Sequence, residues 1–232
     1  MSLSVDKVGE YLGKPVNDPY GRRVGYVIGF YSDSDGNVLS FEVSFGDNDF
    51  KQISIDRFRF EEGNIILIPE WEYNAIMVEN RLKRIKSRLA ALDELYARKE
   101  IPAHAYEEYK KKLDENLVKV KEEVKNTKEI LRKRIHDIED QIVEVEKAMT
   151  FLKVSYISGE IYEKPYKTAM DLLRKSLEIL SNEKDSVKKH LDRIEALESM
   201  PISVMAPGQV GKQPESQLPV KQPMQVVVLE NT

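Results

Sequence analysis

The 232-residue sequence contains no cysteine, so it offers neither a disulfide framework nor thiolate chemistry. It also lacks a GxxxxGK[ST] motif, which excludes nucleotide hydrolysis by the P-loop mechanism. No apolar run approaches the ~18 residues that a transmembrane helix requires. The opening residues, MSLSVDKVGE, lack the apolar segment of a signal peptide. These absences predict a soluble, cytoplasmic protein whose contact with a membrane, if it makes one, is peripheral.

Neither sign of charge dominates, since 36 Lys and Arg residues stand against 40 Asp and Glu residues. A protein that binds duplex nucleic acid usually carries a clear basic excess, so this balance argues against such binding as the main role. Residues 1–69 hold 7 basic and 11 acidic residues, whereas charge is dense and balanced over residues 70–199. Dense, balanced charge is typical of exposed helix faces connected by ion pairs.

Residues 1–69 have the sequence pattern of a small β-domain. Turn sequences at 18–21, 33–37 and 46–49 separate its short apolar segments. Alternating or β-branched residues predict strands over 22–31, 38–45, 50–55 and 64–68, and Phe58 and Phe60 continue the alternation. Five or six short strands are too few for a sandwich and predict a small closed or half-closed barrel. Gly21, Gly25 and Gly29 then lie at tight corners of that barrel.

From residue 70 the apolar residues follow a heptad spacing, and Gly159 is the only glycine within residues 70–199. This pattern predicts a coiled coil with helices over about 70–98, 103–157 and 162–199. The predicted core positions are Leu82, Ile85, Leu89, Leu92, Leu113, Leu117, Leu131, Ile138, Ile142, Leu173, Leu177, Leu180 and Leu191.

The two breaks between these helices repeat each other at a distance of 60 positions, with Tyr96 and Tyr106 matching Tyr156 and Tyr166. We interpret both breaks as tight reversals that make the helices antiparallel. Pro102 then lies in the first turn of one helix and Gly159 caps the end of another. The alternative is one straight rod in which Pro102 and Gly159 are kinks.

The composition changes again at residue 200. Residues 200–223 are rich in Pro and Gln and predict a linker. Residues 224–232 then contain four consecutive large apolar side chains, which favour addition as a β-strand to the sheet edge of a partner. The alternative is that this strand folds back onto the β-domain of its own chain. The predicted partner-binding residues are Met224, Gln225, Val226, Val227, Val228, Leu229 and Glu230.

No arrangement of residues indicates catalysis. His104, His136 and His190 have no Glu at ligand spacing, so we interpret them as polar helix residues. Asp33, Asp35 and Asn37 lack the Gly and terminal Glu of a calcium-binding EF-hand and predict a hairpin turn instead. We therefore expect no enzyme activity, no catalytic residue, no metal site and no cofactor.

Three segments carry a resemblance to a known domain: the sequences LGKPV at 12–16, GRRVGYV at 21–27 and DGN at 35–37. Together they resemble a PRC-barrel domain over about 60 residues. A PRC-barrel followed by a coiled coil and a short apolar terminal peptide is similar to the CdvA family of archaeal cell-division proteins. This resemblance spans the whole chain and implies an α+β multidomain protein, with a small β-barrel, a long antiparallel helical coiled coil and a flexible tail.

The resemblance also implies a function. Members of that family polymerise at the division site on the inner face of the membrane and recruit the ESCRT-III-like protein CdvB. The broken winged-helix domain of CdvB accepts the C-terminal peptide, which maps here to residues 224–232 with Val226–Leu229 as anchors. DNA association is also attributed to the family.

Two further functions remain open at this stage. One is a DNA-associated architectural filament protein that presents a basic cluster to phosphates. The other is an accessory factor that docks onto ribosomal or photosynthetic machinery, as other PRC-barrels do; the long coiled coil and the apolar tail argue against it. The basic cluster consists of Arg81, Lys83, Arg84, Lys86 and Arg88.

Overall fold

The computed structural model describes residues 3–46, 48–61 and 63–202. In this part of the chain an N-terminal mixed sheet is followed by long helices, which confirms the α+β class. The tail from residue 203 onward lies outside the described residues. The predicted partner-binding residues 224–230 therefore lie outside them too, as does all but the start of the predicted linker.

The N-terminal domain begins with one helical turn and continues as six strands. The helical turn is α1 (Val5–Val8), capped by the Ser4 side chain, which accepts a hydrogen bond from the Asp6 amide. The strands are β1 (Pro15–Asn17), β2 (Arg23–Ser32), β3 (Val38–Ser44), β4 (Phe50–Ser54), β5 (Phe58–Glu61) and β6 (Asn64–Leu67). A 3-10 turn, Ile55–Arg57, separates β4 from β5.

The six strands form one sheet in the order β4-β3-β2-β1-β6-β5. Only the β1–β6 pair is parallel among the described strand pairs. Closure into a barrel requires the two edge strands to pair, and β5 pairs with β6 rather than with β4 in the described residues. The sheet is therefore open, and closure of the predicted barrel is not shown.

One face of the sheet carries the domain core. Val16, Val27, Phe41 and Ile65 are completely buried there, and Phe41 packs edge-on against Phe58 at a centroid distance of 5.2 Å. Gly25 is required where β2 bends against β3, because a Cβ atom at this position would lie 2.1 Å from the backbone oxygen of Ser44. The backbones thus approach each other more closely than any side chain permits.

Three helices follow: α2 (Glu70–Ala97), α3 (Ala103–Ile157) and α4 (Glu163–Ser199). The sequence predicts helices over about 70–98, 103–157 and 162–199. At about 1.5 Å per residue, the 55 residues of α3 span roughly 80 Å. Helices α2 and α3 begin directly after Pro69 and Pro102, which supply a helix-compatible φ without needing an amide donor.

The chain reverses direction after α2 and again after α3, so the straight-rod alternative does not describe this structure. Arg81 of α2 pairs with Glu123 of α3, and Arg132 of α3 pairs with Glu195 of α4. Helices α2 and α4 therefore both run antiparallel to α3. They meet each other along the middle of α3, because Lys86 of α2 reaches the end of α4.

This arrangement produces a three-helix section in the middle of α3 and two-helix sections at its ends. The core of the three-helix section includes Val78, Leu82, Val124, Leu131 and Val187, which are almost fully buried. Of the 13 predicted core positions, the structure buries Leu82, Leu89, Leu92, Leu113, Leu131, Ile138 and Leu180. It leaves the remaining six half-buried: Ile85, Leu117, Ile142, Leu173, Leu177 and Leu191.

Candidate functional site

The β-domain is joined to the helices by a network of charged side chains centred on the buried Glu183. Arg22 lies at the turn before β2, and its Nε donates to Asp18 Oδ2 at 2.5 Å. Its Nη2 donates to Glu183 Oε2 on α4 at 2.6 Å. The other oxygen of Glu183 accepts hydrogen bonds from Nε and Nη2 of Arg134 on α3, at 2.8 and 2.6 Å. The carboxylate of Glu183 is only 1% exposed and therefore depends on both guanidinium groups.

A second contact joins the β-domain to α2. The hydroxyl of Tyr20 donates to Glu72 Oε2 at 3.1 Å. Burial of the Tyr20 ring raises the pKa of its hydroxyl well above the ordinary range, and the nearby carboxylates of Glu72 and Glu183 raise this pKa further. Tyr20 therefore stays protonated and remains a donor across the physiological range.

An open cleft of about 780 Å³ lies beside this junction, between the sheet and the helices. Its guanidinium groups are already engaged: Arg22 and Arg134 hold Glu183, and Arg57 donates to the carbonyl oxygen of Ile68. Since Asp18, Glu183 and the three arginines are engaged in these contacts, we assign no ligand to the cleft.

Helices α2 and α4 are joined by a buried contact between a histidine and a glutamate. His190 Nδ1 lies 2.6 Å from Glu79 Oε1, and both side chains are largely buried. Trp71 covers this pair with its ring edge-on to the imidazole, at a centroid distance of 6.1 Å. The sequence interpretation of His190 as a polar helix residue missed this inter-helix role, because the pattern along one helix does not reveal which residue faces it from another.

A buried lysine on α2 binds the end of α4, where Lys128 of α3 also pairs with Glu198 at 2.6 Å. Lys86 Nζ donates to the carbonyl oxygens of Leu197, Glu198 and Met200 at 2.6, 2.8 and 2.7 Å. The last carbonyls of a helix lack partners within the helix and carry partial negative charge, so an ammonium group is well placed to bind them. Burial lowers the pKa of Lys86, and the charge of Lys121 lowers it further, whereas Glu198 raises it. This lysine fixes the point at which the chain leaves the bundle.

The first residues after α4 continue along the same surface. Ile202 packs against the small cluster formed by Leu89, Leu92 and Leu113. The base of the tail is therefore attached to the bundle by polar contacts at residues 197–200 and by an apolar contact at residue 202. We define the tail base as residues 197–202. It is the described part of the chain nearest in sequence to the predicted partner-binding peptide.

The structure separates the members of the predicted basic cluster. Lys86 is buried against the tail base, and Arg81 Nη1 donates to both oxygens of Glu123, at 3.0 and 2.8 Å. Lys83, Arg84 and Arg88 remain on the exposed side of α2. Lys184 lies at a heptad position between Leu180 and Val187 and is half-buried. The structure buries its neighbour Glu183, while Lys184 pairs with Glu139 at 2.8 Å.

The described part of the chain contains neither a helix that could span a membrane nor a cluster of metal-ligating side chains. Over 3–46, 48–61 and 63–202, no helix combines the length and the apolar character needed to cross a bilayer. The same ranges contain no group of three or more His, Asp or Glu side chains placed to hold a metal ion.

Comparison with known proteins yields two matches. The family described as the CdvA-like coiled-coil domain matches residues 70–217. The chain is also 35% identical over 198 residues to "Cell division protein A" of Sulfolobus acidocaldarius, an alignment that covers 85% of this chain and 83% of the relative. No solved structure matches the chain.

Proposed function

Because the chain belongs to the CdvA-like coiled-coil family and is a cell-division protein, we propose that it is a scaffold that polymerises at the division site. On this proposal it recruits the ESCRT-III-like protein CdvB through residues 224–232. It works in the cytoplasm at the inner face of the membrane, with which its association is peripheral. It carries out no catalysis and needs no cofactor.

The observation that best supports recruitment is the attachment of the tail base by Lys86. Three hydrogen bonds from one buried ammonium group hold residues 197–200 against α2. A scaffold that displays a recruiting peptide needs a defined position from which that peptide starts. The four consecutive apolar residues Val226–Leu229 supply the side chains that a partner sheet can cover.

Polymerisation and recruitment reinforce each other in this proposal. Many copies of the chain in one polymer hold many recruiting peptides close together. The effective concentration of peptide near a multivalent partner then rises, so the overall affinity can exceed that of a single peptide by a factor of about 10²–10⁴. Modest affinity at each peptide is sufficient for stable recruitment.

The test compares the full chain with two variants in binding to the purified winged-helix region of the partner. The double variant Val226→Ser/Val228→Ser removes two apolar anchors and should weaken binding at least tenfold. The matched control Val220→Ser lies in the predicted linker and should leave the affinity unchanged. Deletion of residues 224–232 should abolish binding while the polymers still form. Full capture of the partner by the deletion variant excludes the tail as the recruiting segment.

The alternative function is that of a DNA-associated architectural filament. Its basic cluster has three exposed members, because Lys86 is buried and Arg81 is paired with Glu123. If DNA binding is the main role, affinity should fall steeply with salt concentration. For each tenfold increase in salt, the affinity should drop roughly tenfold for every phosphate contact. Lys83→Gln/Arg84→Gln should then reduce both the affinity and this slope. A shallow slope that the double variant leaves unchanged argues against it.

A further inference from the structure

The two chain reversals share one construction and can therefore be compared position by position, at an offset of 60 residues. Tyr96 stacks on Tyr106 at a centroid distance of 4.1 Å, and Tyr156 stacks on Tyr166 at 4.3 Å. Lys99 and its counterpart Gly159 both adopt positive φ, 59° and 80°. The amide of the following residue donates to the carbonyl oxygen five residues earlier at 3.0 Å in both reversals, from Glu100 to Leu95 and from Glu160 to Ser155. The first reversal thus serves as an internal reference for the second.

The reversals differ in what they expose. At the second reversal, Phe151 is 71% exposed, Val154 59%, Ile157 84% and Tyr162 87%. We call these four residues the distal tip. Their counterparts in the first reversal are, in the same order, Ala91, Glu94, Ala97 and Pro102. The same backbone construction is therefore made without large apolar side chains at these positions, so the turn itself does not require them.

Packing within the chain does not account for the distal tip either. The first reversal lies against the cluster of Leu89, Leu92 and Leu113, which Ile202 also contacts. The distal tip residues belong to none of the apolar clusters of the described chain. Large, grouped apolar side chains that remain in water indicate an interaction site rather than a stable free surface.

The charges around the distal tip indicate what kind of partner it takes. Residues 150–167 contain three basic and two acidic side chains. One pair, Lys167 and Glu163, is already joined at 2.5 Å. In the described residues Lys153, Lys164 and Glu160 make no ion pair. A surface that binds anionic lipid is usually strongly basic, whereas a net charge of only 3 − 2 = +1, with both signs present around an apolar centre, suits a copy of the same surface.

The size of the patch is close to what such a contact needs. An exposed aromatic side chain presents about 150–250 Å² and an aliphatic one less, so the four exposed fractions amount to roughly 600 Å² per chain. A standard protein interface takes about 800 Å² from each partner. The flanking parts of α3 and α4 can supply the remainder.

We propose that the distal tip is a contact between two copies of this chain, which meet tip to tip about a two-fold axis. Under such symmetry the same patch faces itself, so Lys153 or Lys164 of one copy can approach Glu160 of the other. This inference rests on the proposed function, because it identifies one of the contacts through which the chain polymerises.

The first experiment transfers the residues of the first reversal to the second in the full chain. The variant is Phe151→Ala/Val154→Glu/Ile157→Ala. Sedimentation should show that it needs at least tenfold more protein than the unmodified chain for self-association, while circular dichroism shows unchanged helix content. The matched control places the residues of the second reversal at two exposed positions of the first, Leu95→Ser/Tyr109→Ala. It should alter self-association less than twofold.

The second experiment uses the absence of cysteine from the natural chain. Ile157→Cys introduces a single thiol at the distal tip, and Ala97→Cys introduces one at the matching position of the first reversal. A short bis-maleimide linker should join two copies of the Ile157→Cys chain in high yield and should leave the Ala97→Cys chain mostly monomeric. Equal yields from both variants overturn the tip-to-tip contact.

The outcomes distinguish this inference from the proposed function. If the triple variant self-associates like the unmodified chain, the distal tip is not the contact, although the scaffold proposal stands. If the unmodified chain does not self-associate at any concentration tested, the scaffold proposal itself fails. If the triple variant self-associates normally but no longer floats with vesicles of phosphatidylcholine and phosphatidylserine, the distal tip contacts lipid and the inference is wrong.

Discussion

Arg22 in the β-domain and Glu183 on α4 are 161 residues apart in sequence, and Nη2 of the first lies 2.6 Å from Oε2 of the second. Arg134 approaches the other oxygen of the same carboxylate. A carboxylate this deeply buried is tolerated only while both positive charges remain beside it. The contact of Arg22 with α3 and α4 at this junction therefore depends on one acidic side chain.

Removal of the charge at this position should loosen the junction. Glu183→Gln leaves two guanidinium groups without their carboxylate and should lower the free energy of unfolding by about 2 kcal/mol. This lies below the 3–5 kcal/mol of a fully buried pair, because both arginines are partly exposed. Urea unfolding measures the change. The control is Glu178→Gln, at an exposed position of the same helix, for which no significant loss is expected.

The single tryptophan provides a local probe of the same change. Trp71 lines the cleft beside Glu183, so its fluorescence should shift to longer wavelength in Glu183→Gln if the junction opens. An unchanged spectrum together with unchanged stability would contradict the structural role of this carboxylate.

Lys86 should contribute strongly to the stability of the tail base. Lys86→Met keeps most of the apolar stem but removes three hydrogen bonds to α4 carbonyls, and should cost about 2 kcal/mol of stability. Hydrogen exchange of the amides near residues 197–202 should accelerate more than exchange elsewhere. Lys83→Met, on the exposed face of the same helix, is the control and should leave both measurements unchanged.

Tyr20 should make the fold sensitive to alkaline pH. Its pKa is raised in the folded protein above the ordinary value of about 10. Its contribution to stability is therefore complete below that pH and declines as the pH rises above it, because the unfolded chain ionises first. Tyr20→Phe should cost about 1 kcal/mol near neutral pH. As the pH rises above about 10, the Tyr20→Phe variant should lose less stability than the unmodified chain does.

The two reversals allow a paired test of backbone strain. Gly159→Ala places a side chain at positive φ where no atom lies within 4 Å, so its expected cost of about 1 kcal/mol comes from the backbone alone. Lys99→Gly relieves the matching strain. The gain is partly offset by the greater conformational freedom of glycine in the unfolded chain, so this substitution should stabilise the fold by roughly 0.5 kcal/mol. Thermal unfolding of both variants measures the difference. Equal signs for the two substitutions would contradict the equivalence of the reversals.

Sequence periodicity carries most of the information about the helical part, because a heptad of apolar residues specifies both the helix and its buried face. It fails where a third helix joins, since burial there depends on partners from distant parts of the chain. Glu183 and Lys86 illustrate this point. A charged residue in a polar stretch resembles an exposed one until the facing guanidinium groups or carbonyls are known.

In the β-domain, alternation and turn residues give strands and their number, yet they do not give strand order or closure. Strand β1, only three residues long, carries no periodic signal, although it is the strand that connects β2 to β6. The candidate interaction surfaces show the same limit. The distal tip residues are apolar like those of the helix core, and only their exposure in the structure distinguishes them.

The number of helices packed side by side changes along α3, and this number sets the local bending stiffness. A section of three packed helices is mechanically stiffer than a section of two, because its cross-section is larger. A pull applied at the end of the α3–α4 hairpin will therefore flex that two-helix arm before it disturbs the stiffer middle or the β-domain beyond it. The arm is therefore the compliant part of the chain, in series with a stiffer base.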